Sequence, residues 1–269
     1  MRYNGDMPTL RQIITDGLGH LPESGCHTLP VDDEARQILR GWFVRGRRGG
    51  QPEQAGGQPE LRTVEQKLEY LRGVAERWGP ARQLSTLRET MVFAVGNPHA
   101  QLMLVGEAPG YDEERLREPF VGKAGQKLNE ILRAMGVSRN EVYISNICKF
   151  RPSMGASQGT ANRPPTPEEI AACLPLVLAE IRAIGPRCVV CLGATAARGL
   201  LACEGSVSSL RGRWWECGGV PVRVTYHPSY LLRNAALSAR RAVWEDMLAV
   251  MERLDMPISA KQQNYFLPG

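Results

Sequence analysis

The sequence predicts a three-layer α/β/α domain built on a central, mainly parallel four-stranded sheet. Two observations carry that prediction. From about Val92 onward, short apolar runs alternate with helical patterns, and such alternation implies helical crossovers between parallel strands. Gly106, Asn146 and His227 stand at the ends of those runs, where open α/β sheets bind their ligands.

The elements follow in order. VEQKLEYLRGVAERW, beginning at Val64, has apolar or aromatic residues at helical spacing and predicts a helix leading into the domain. QLMLVG (101–106) predicts the first strand, AGQKLNEILRAMG (124–136) a helix ending at Gly136, and VYISNIC (142–148) the second strand. TPEEIAACLPLVLAEIRAIG (166–185) predicts a helix, with Thr166 as N-cap and Glu169 three residues on forming a capping box. RCVVCLG (187–193) predicts a strand and ATAARGLLA (194–202) a helix. VPVRVTY (220–226) predicts the fourth strand, and the stretch after Ala236 a closing helix.

Residues 1–62 differ in kind. Short amphipathic pieces precede RGRRGGQPEQAGGQPE, rich in Gly, Pro and Gln. That composition cannot bury enough surface to fold alone and reads as a flexible linker. The chain therefore divides into an N-terminal extension (1–62), a main domain (63–256) and a C-terminal tail (257–269).

Composition narrows the class. A chain of 269 residues, 43% of them hydrophobic, can build a full core. No apolar run approaches the roughly 18 residues that span a bilayer, and the leading MRYNGDMPTLRQ is too polar for a secretory signal. The expected location is the cytoplasm, with no membrane partner. A net charge of +5 suits a polyanionic partner without requiring one. Seven cysteines, an odd number, argue against a disulfide framework. Cys188 and Cys191 lie three apart in a strand, so they point to opposite faces and cannot chelate one ion together.

The chemistry-bearing residues follow the strands. After the first comes GEAPGYDEERLREPFVGKAGQ, where Gly106 and Gly110 flank Pro109 and let backbone pass close to a ligand. Asn146 ends the second strand, and His227 follows the fourth, with Pro228 turning the chain.

GEAPG, EPFVGKAGQ, YISNICKFRP, NRPPTPEEIAAC, LGATAA and TYHPSYLLR, in this order and spacing, resemble the family-four uracil-DNA glycosylases over about residues 78–250. The resemblance implies a monofunctional uracil-DNA glycosylase that flips uracil out of DNA, hydrolyses the N-glycosidic bond and leaves an abasic site. Its partners would be uracil-containing and abasic DNA, and it would act as a monomer. Phe120 would stack on the flipped base, and Asn146 would read its edge with a donor and an acceptor side by side. His227 would donate toward uracil O2 as negative charge develops there. Gly106, Ala108, Pro109 and Gly110 would wall the pocket, and Asn162 matches a further polar position. The best-known relatives have an Asp where Ala108 stands. Among the loop acids Glu107, Asp112, Glu113 and Glu114, Glu113 is the first candidate to handle water and Glu107 the second. Ser229 would hold a phosphate, while Tyr230, Leu231 and Leu232 would fill the gap left by the base. Lys123, Arg211, Arg213 and Arg233 are candidates for backbone phosphates.

The chain departs from the family in two places. Family-four enzymes hold an iron–sulfur cluster on four cysteines. Here WGPARQLSTLRET, where two of them are expected, contains none, and Phe150 occupies the third position. Cys173 retains the fourth, with Cys148 displaced nearby. One matched ligand cannot hold a cluster, so neither metal nor other cofactor is expected, and packing through Phe150 and the upstream helix must replace it. The second departure, SMGASQGTA (153–161), lengthens a loop but lacks the histidine with which a related subclass captures DNA covalently. Two other readings remain: a DNA- or abasic-site-binding protein with weak catalysis, and a glycosylase for other deaminated bases.

Overall fold

The computed structural model describes residues 63–267. The N-terminal extension read at 1–62 lies outside the described residues.

The central sheet has six strands in the order β2-β4-β3-β6-β8-β7. Its middle four are β3 (Leu102–Gly106), β4 (Tyr143–Asn146), β6 (Cys188–Leu192) and β8 (Val220–Thr225). They run parallel, in registers that pair Gly106 with Asn146, Leu102 with Cys188 and Leu192 with Thr225. These are the four strands the sequence predicts, and β3, β4 and β6 are buried at every position. Helices on both faces leave such strands no polar side, which is why they read as unbroken apolar runs.

Two antiparallel edges extend the predicted four. β2 (Ala94–Gly96) pairs with β4, and β7 (Trp214–Cys217) forms a hairpin with β8. The hairpin turns at Gly218 and Gly219, both at positive φ (57° and 82°), as a two-residue turn between twisted strands requires. β1 (Leu87–Met91) and β5 (Phe150–Pro152) make a separate antiparallel pair.

On one face, α4 (Lys123–Met135) and α9 (Leu237–Arg253) cover the sheet. Leu128, Leu132 and Met135 meet Trp244, Met247 and Met251 over Leu104, Ile144 and Val190. The next residue along β4, Ser145, points the other way and donates to Glu180 Oε2 at 2.7 Å, so α5 (Pro167–Ile184) covers the opposite face. Lys149 joins this fully buried pair, 2.7 Å from Glu180. The capping box expected at Thr166 and Glu169 is present, and Arg163 pairs with the Glu169 carboxylate at 2.6 Å. Cys188 belongs to the first face, and Cys191, three residues on, points to the second.

α1 (Val64–Glu76) and α2 (Gly79–Arg82) precede the sheet. After β3 comes the short α3 (Tyr111–Leu116), after β6 come α6 (Ala194–Leu201) and α7 (Val207–Leu210), and after β8 comes α8 (Pro228–Arg233). Residues beyond Met256 form α10 (Ala260–Gln263) and pack on α9: Trp244 Nε1 donates to Gln262 O at 2.5 Å, and its ring lies 5.1 Å from that of Tyr265. Among the described residues no helix is long and apolar enough to cross a membrane.

Candidate active site

Three strand ends bring their polar residues together. The pairing of β3 with β4 sets Gly106 beside Asn146, and Ile147 N–H donates to Gly106 O at 2.9 Å. A Cβ on Gly106 would stand 2.4 Å from Asn146 Oδ1 and 2.5 Å from Phe120 Cζ. Only glycine fits there. The Asn146 side chain is buried, and its Oδ1 has no hydrogen-bond partner. Leaving a buried acceptor unpaired costs about 1–3 kcal/mol, a cost that a ligand N–H would relieve.

Phe120 reaches this place through a left-handed backbone, φ 56°. A side-chain-bearing residue resists that conformation by about 1–2 kcal/mol, so something must hold it. Arg139 does: its guanidinium donates to Phe120 O at 3.1 Å, to Pro119 O, and to Glu118 at 3.1 Å. On the other side Gly125 packs against the Phe120 carbonyl, where a Cβ would collide at 1.7 Å.

His227 caps α8 and lies with its ring 5.6 Å from that of Phe120. Its Nδ1 accepts the Ser229 backbone N–H at 3.2 Å and lies 2.8 Å from Ser229 Oγ. A backbone N–H can only donate, so Nδ1 is the unprotonated nitrogen and the proton sits on Nε2. Burial, assisted by the Arg233 charge, lowers the His227 pKa to about 4. The ring is therefore a neutral donor at physiological pH.

The loop acids separate into distinct environments. Glu113 Oε1 accepts Val121 N–H at 3.0 Å and Gly122 N–H at 2.9 Å, while Oε2 accepts Gly110 N–H at 3.1 Å. Its carboxylate buckles the 106–110 loop to the turn carrying Phe120. Glu114 bridges Arg88 at 2.6 Å and Arg151 at 2.9 Å. Asp112 is exposed, with Arg115 at 3.9 Å. Among the described residues the Glu107 carboxylate accepts one hydrogen bond, from Thr195 Oγ1 to Oε2 at 2.6 Å.

Around this centre, Ala108 is partly buried and Pro109 buried. Asn162 Oδ1 accepts from Arg151 Nε at 2.9 Å, which turns Nδ2 toward Gly110. Arg151 Nη2 also donates to Gly159 O at 2.9 Å and Ala161 O at 2.6 Å. The inserted loop is thus tied to the strand it follows.

The residues expected on DNA diverge in their availability. Lys123, Arg233 and Leu232 are exposed. Arg213 is exposed too, with its guanidinium 4.0 Å over the Trp215 ring. Arg211 is bound within the domain, to Asp246 at 2.9 Å and to Ala242 O. The Ser229 hydroxyl faces the His227 ring. Tyr230 stacks on Tyr226 at 4.5 Å and accepts from Asn234 at 2.8 Å, and Leu231 packs against the core. Sequence reasoning missed Arg139, Arg151 and Thr195 as residues of this region. Thr195 lies in the quoted LGATAA motif, which gave it no role. Arg139 carries no sequence signal at all.

The residues present do not fit an iron–sulfur cluster on four thiolates. Cys148 and Cys173 are both buried and share a hydrogen bond, which together with burial raises the Cys148 thiol well above its ordinary pKa. At the third position the Phe150 ring carries the Arg82 guanidinium at 4.7 Å. Among the described residues no group of three or more His, Cys, Asp or Glu side chains could hold a metal ion.

Fold and site together define an α/β domain that presents Gly106, Asn146 and His227 at the carboxyl ends of its parallel strands, with the Phe120 ring beside them. A family model of the uracil DNA glycosylase superfamily matches residues 93–248. The chain belongs to that superfamily. It is 43% identical over 164 residues to a type-4 uracil-DNA glycosylase of Thermotoga maritima, covering 60% of this chain and 81% of the relative. It is 40% identical over 162 residues to a type-4 enzyme of Archaeoglobus fulgidus, covering 57% and 78%. A type-4 enzyme of Pyrobaculum aerophilum is 37% identical over 162 residues, covering 57% and 79%.

Proposed function

We propose that this chain excises uracil from DNA in base excision repair, hydrolysing the N-glycosidic bond and leaving an abasic site, as a cytoplasmic monomer. The observation that carries the reading is the buried, unpartnered Asn146 Oδ1 beside the Phe120 ring. Uracil presents an N3–H donor next to the O4 acceptor, which an Asn amide matches with Oδ1 and Nδ2. Cytosine presents the reverse pattern and would leave both amide groups opposed. Phe120 supplies the face on which the flipped base stacks.

As the C1′–N1 bond breaks, its electron pair moves onto the base, and His227 Nε2–H stabilises the charge gathering at O2. Glu107 is the carboxylate that meets water, taking its proton as the water oxygen bonds to C1′. Glu113, ranked first from the sequence, instead shapes the pocket, since three backbone N–H groups occupy its carboxylate. Leu232, exposed on α8, is the member of the Tyr230–Leu231–Leu232 trio free to enter the duplex. Exposed Lys123 and Arg233 would meet phosphates, joined by Arg213 on its Trp215 platform, while Arg211 serves as a structural ion pair. Asn162 offers its amide donors at the pocket rim.

The test is release of free uracil from labelled single- and double-stranded DNA, with hypoxanthine and xanthine duplexes alongside. Uracil should be released and leave alkali-labile sites. No release at enzyme excess, with tight binding of abasic duplex, would replace this reading with a binding protein. Release of a deaminated purine but not uracil would replace the substrate.

A further inference from the structure

The turn between β6 and α6 supports both halves of the site. β6 lies between β3 and β8 in the sheet, so the turn after it passes between the Glu107 loop and His227. Gly193 opens this turn at φ 98°, where a Cβ would stand 3.2 Å from His227 Cβ. Two residues later Thr195, only 6% exposed, donates its hydroxyl proton to Glu107 Oε2 at 2.6 Å.

Glu107 has backbone restraint but little else. Cys148 N–H donates to its carbonyl at 3.0 Å, which fixes the main chain beside β4. Among the described residues no hydrogen bond other than that from Thr195 engages its carboxylate. A glutamate has three side-chain torsions, and a partly buried one without a partner samples several rotamers. We infer that Thr195 is a positioning residue for Glu107: its hydroxyl holds Oε2 so that Oε1 meets the attacking water. The inference rests on the proposed role of Glu107 in handling water.

The chemistry of the two groups supports the assignment. A hydroxyl has one proton to give, and a carboxylate can only accept, so the bond has a fixed direction. Hydrogen bonds to an ionised acceptor are short and strong, and here the bond is buried on the Thr195 side. Valine has threonine's shape without the proton, and serine keeps the proton without the methyl group. The pair of variants separates hydrogen bonding from packing.

The experiment measures uracil release by the full chain under saturating and subsaturating substrate. Thr195→Val should lower kcat roughly tenfold with KM unchanged, and Thr195→Ser should stay within about twofold of the parent. In a Glu107→Gln background, Thr195→Val should add no further loss. If Thr195→Val is fully active while Glu107→Gln is impaired, the positioning role is wrong and the Glu107 reading stands. If Glu107→Gln itself is fully active, the Glu107 reading fails first. Equal losses from Thr195→Val in both backgrounds would mark Thr195 as merely structural. Thermal melting reports whether the valine variant folds, and Thr195→Ala gives the same comparison should it not.

Discussion

A single imidazole shows how burial sets chemistry at this site. His227 is held by the Ser229 backbone N–H on Nδ1 and depressed to a pKa of about 4 by burial and by Arg233. An unfolded histidine titrates near 6.5. The folded value lies below the unfolded one, so between them the unfolded chain takes up a proton that the folded chain refuses. Stability contributed by the neutral ring is complete above about pH 6.5 and is lost as pH falls toward 4, levelling off below. Relative to His227→Gln, the parent should lose about 2 kcal/mol more between pH 8 and pH 5. Urea unfolding of both proteins at the two pH values measures this. Parallel pH dependence would mean that the ring titrates normally and is a cation in acid. The sequence revealed where this histidine stands, because a strand end and a following proline are local features. Its tautomer was hidden, because that depends on one backbone N–H two residues away.

At the scale of elements, the strongest constraint is the turn that presents Phe120 between α3 and α4. Glu113 ties it to the 106–110 loop, and Arg139, beyond the end of α4, holds its carbonyls. Arg139→Ala removes the grip on a left-handed residue whose strain is about 1–2 kcal/mol. Phe120 should then leave its stacking position for part of the time. We expect kcat/KM for uracil release to fall about tenfold, the equivalent of roughly 1.4 kcal/mol. Steady-state kinetics with a melting curve alongside is the check. A lowered melting temperature with unchanged kinetics would show that Arg139 supports the fold and not the ring. The sequence could not disclose this clamp, since Arg139 in GVSRN looks like any turn arginine. The four parallel strands were legible because burial on both faces writes a continuous apolar run. β2 was not, being three residues long, nor β7, whose Trp214, Trp215 and Glu216 show neither a run nor clean alternation. The Gly218–Gly219 pair was the available signal for that hairpin. The different environments of the loop acids were hidden for a related reason. Composition shows four carboxylates in one stretch but not which of them backbone N–H groups have already claimed.

Across the whole molecule, the change from the family pattern is one of scaffold. A cluster on four thiolates would staple the segment before β1 to β5 and α5. Here the same segment is fastened by side chains: Trp78 Nε1 donates to Ala172 O at 2.6 Å, and Arg82 stacks on Phe150. Trp78, Ala81 and Phe150 are buried, and Cys148 and Cys173 complete the wall as thiols. An indole hydrogen bond and aromatic burial are insensitive to chelators and oxidants that strip iron. The purified protein should therefore contain no stoichiometric iron and show no broad absorbance near roughly 400 nm. Its melting temperature should be unchanged by a strong chelator, whereas Trp78→Ala should lower it, since truncating a buried Trp costs about 3–5 kcal/mol. Metal analysis, a visible spectrum and melting with and without chelator make the test. A brown preparation whose stability collapses on iron removal would mean that the cluster persists on ligands other than the family's four. A colourless protein in which Trp78→Ala unfolds the 78–91 segment first, seen as fast amide exchange there, would mean that packing has taken over the work of the metal.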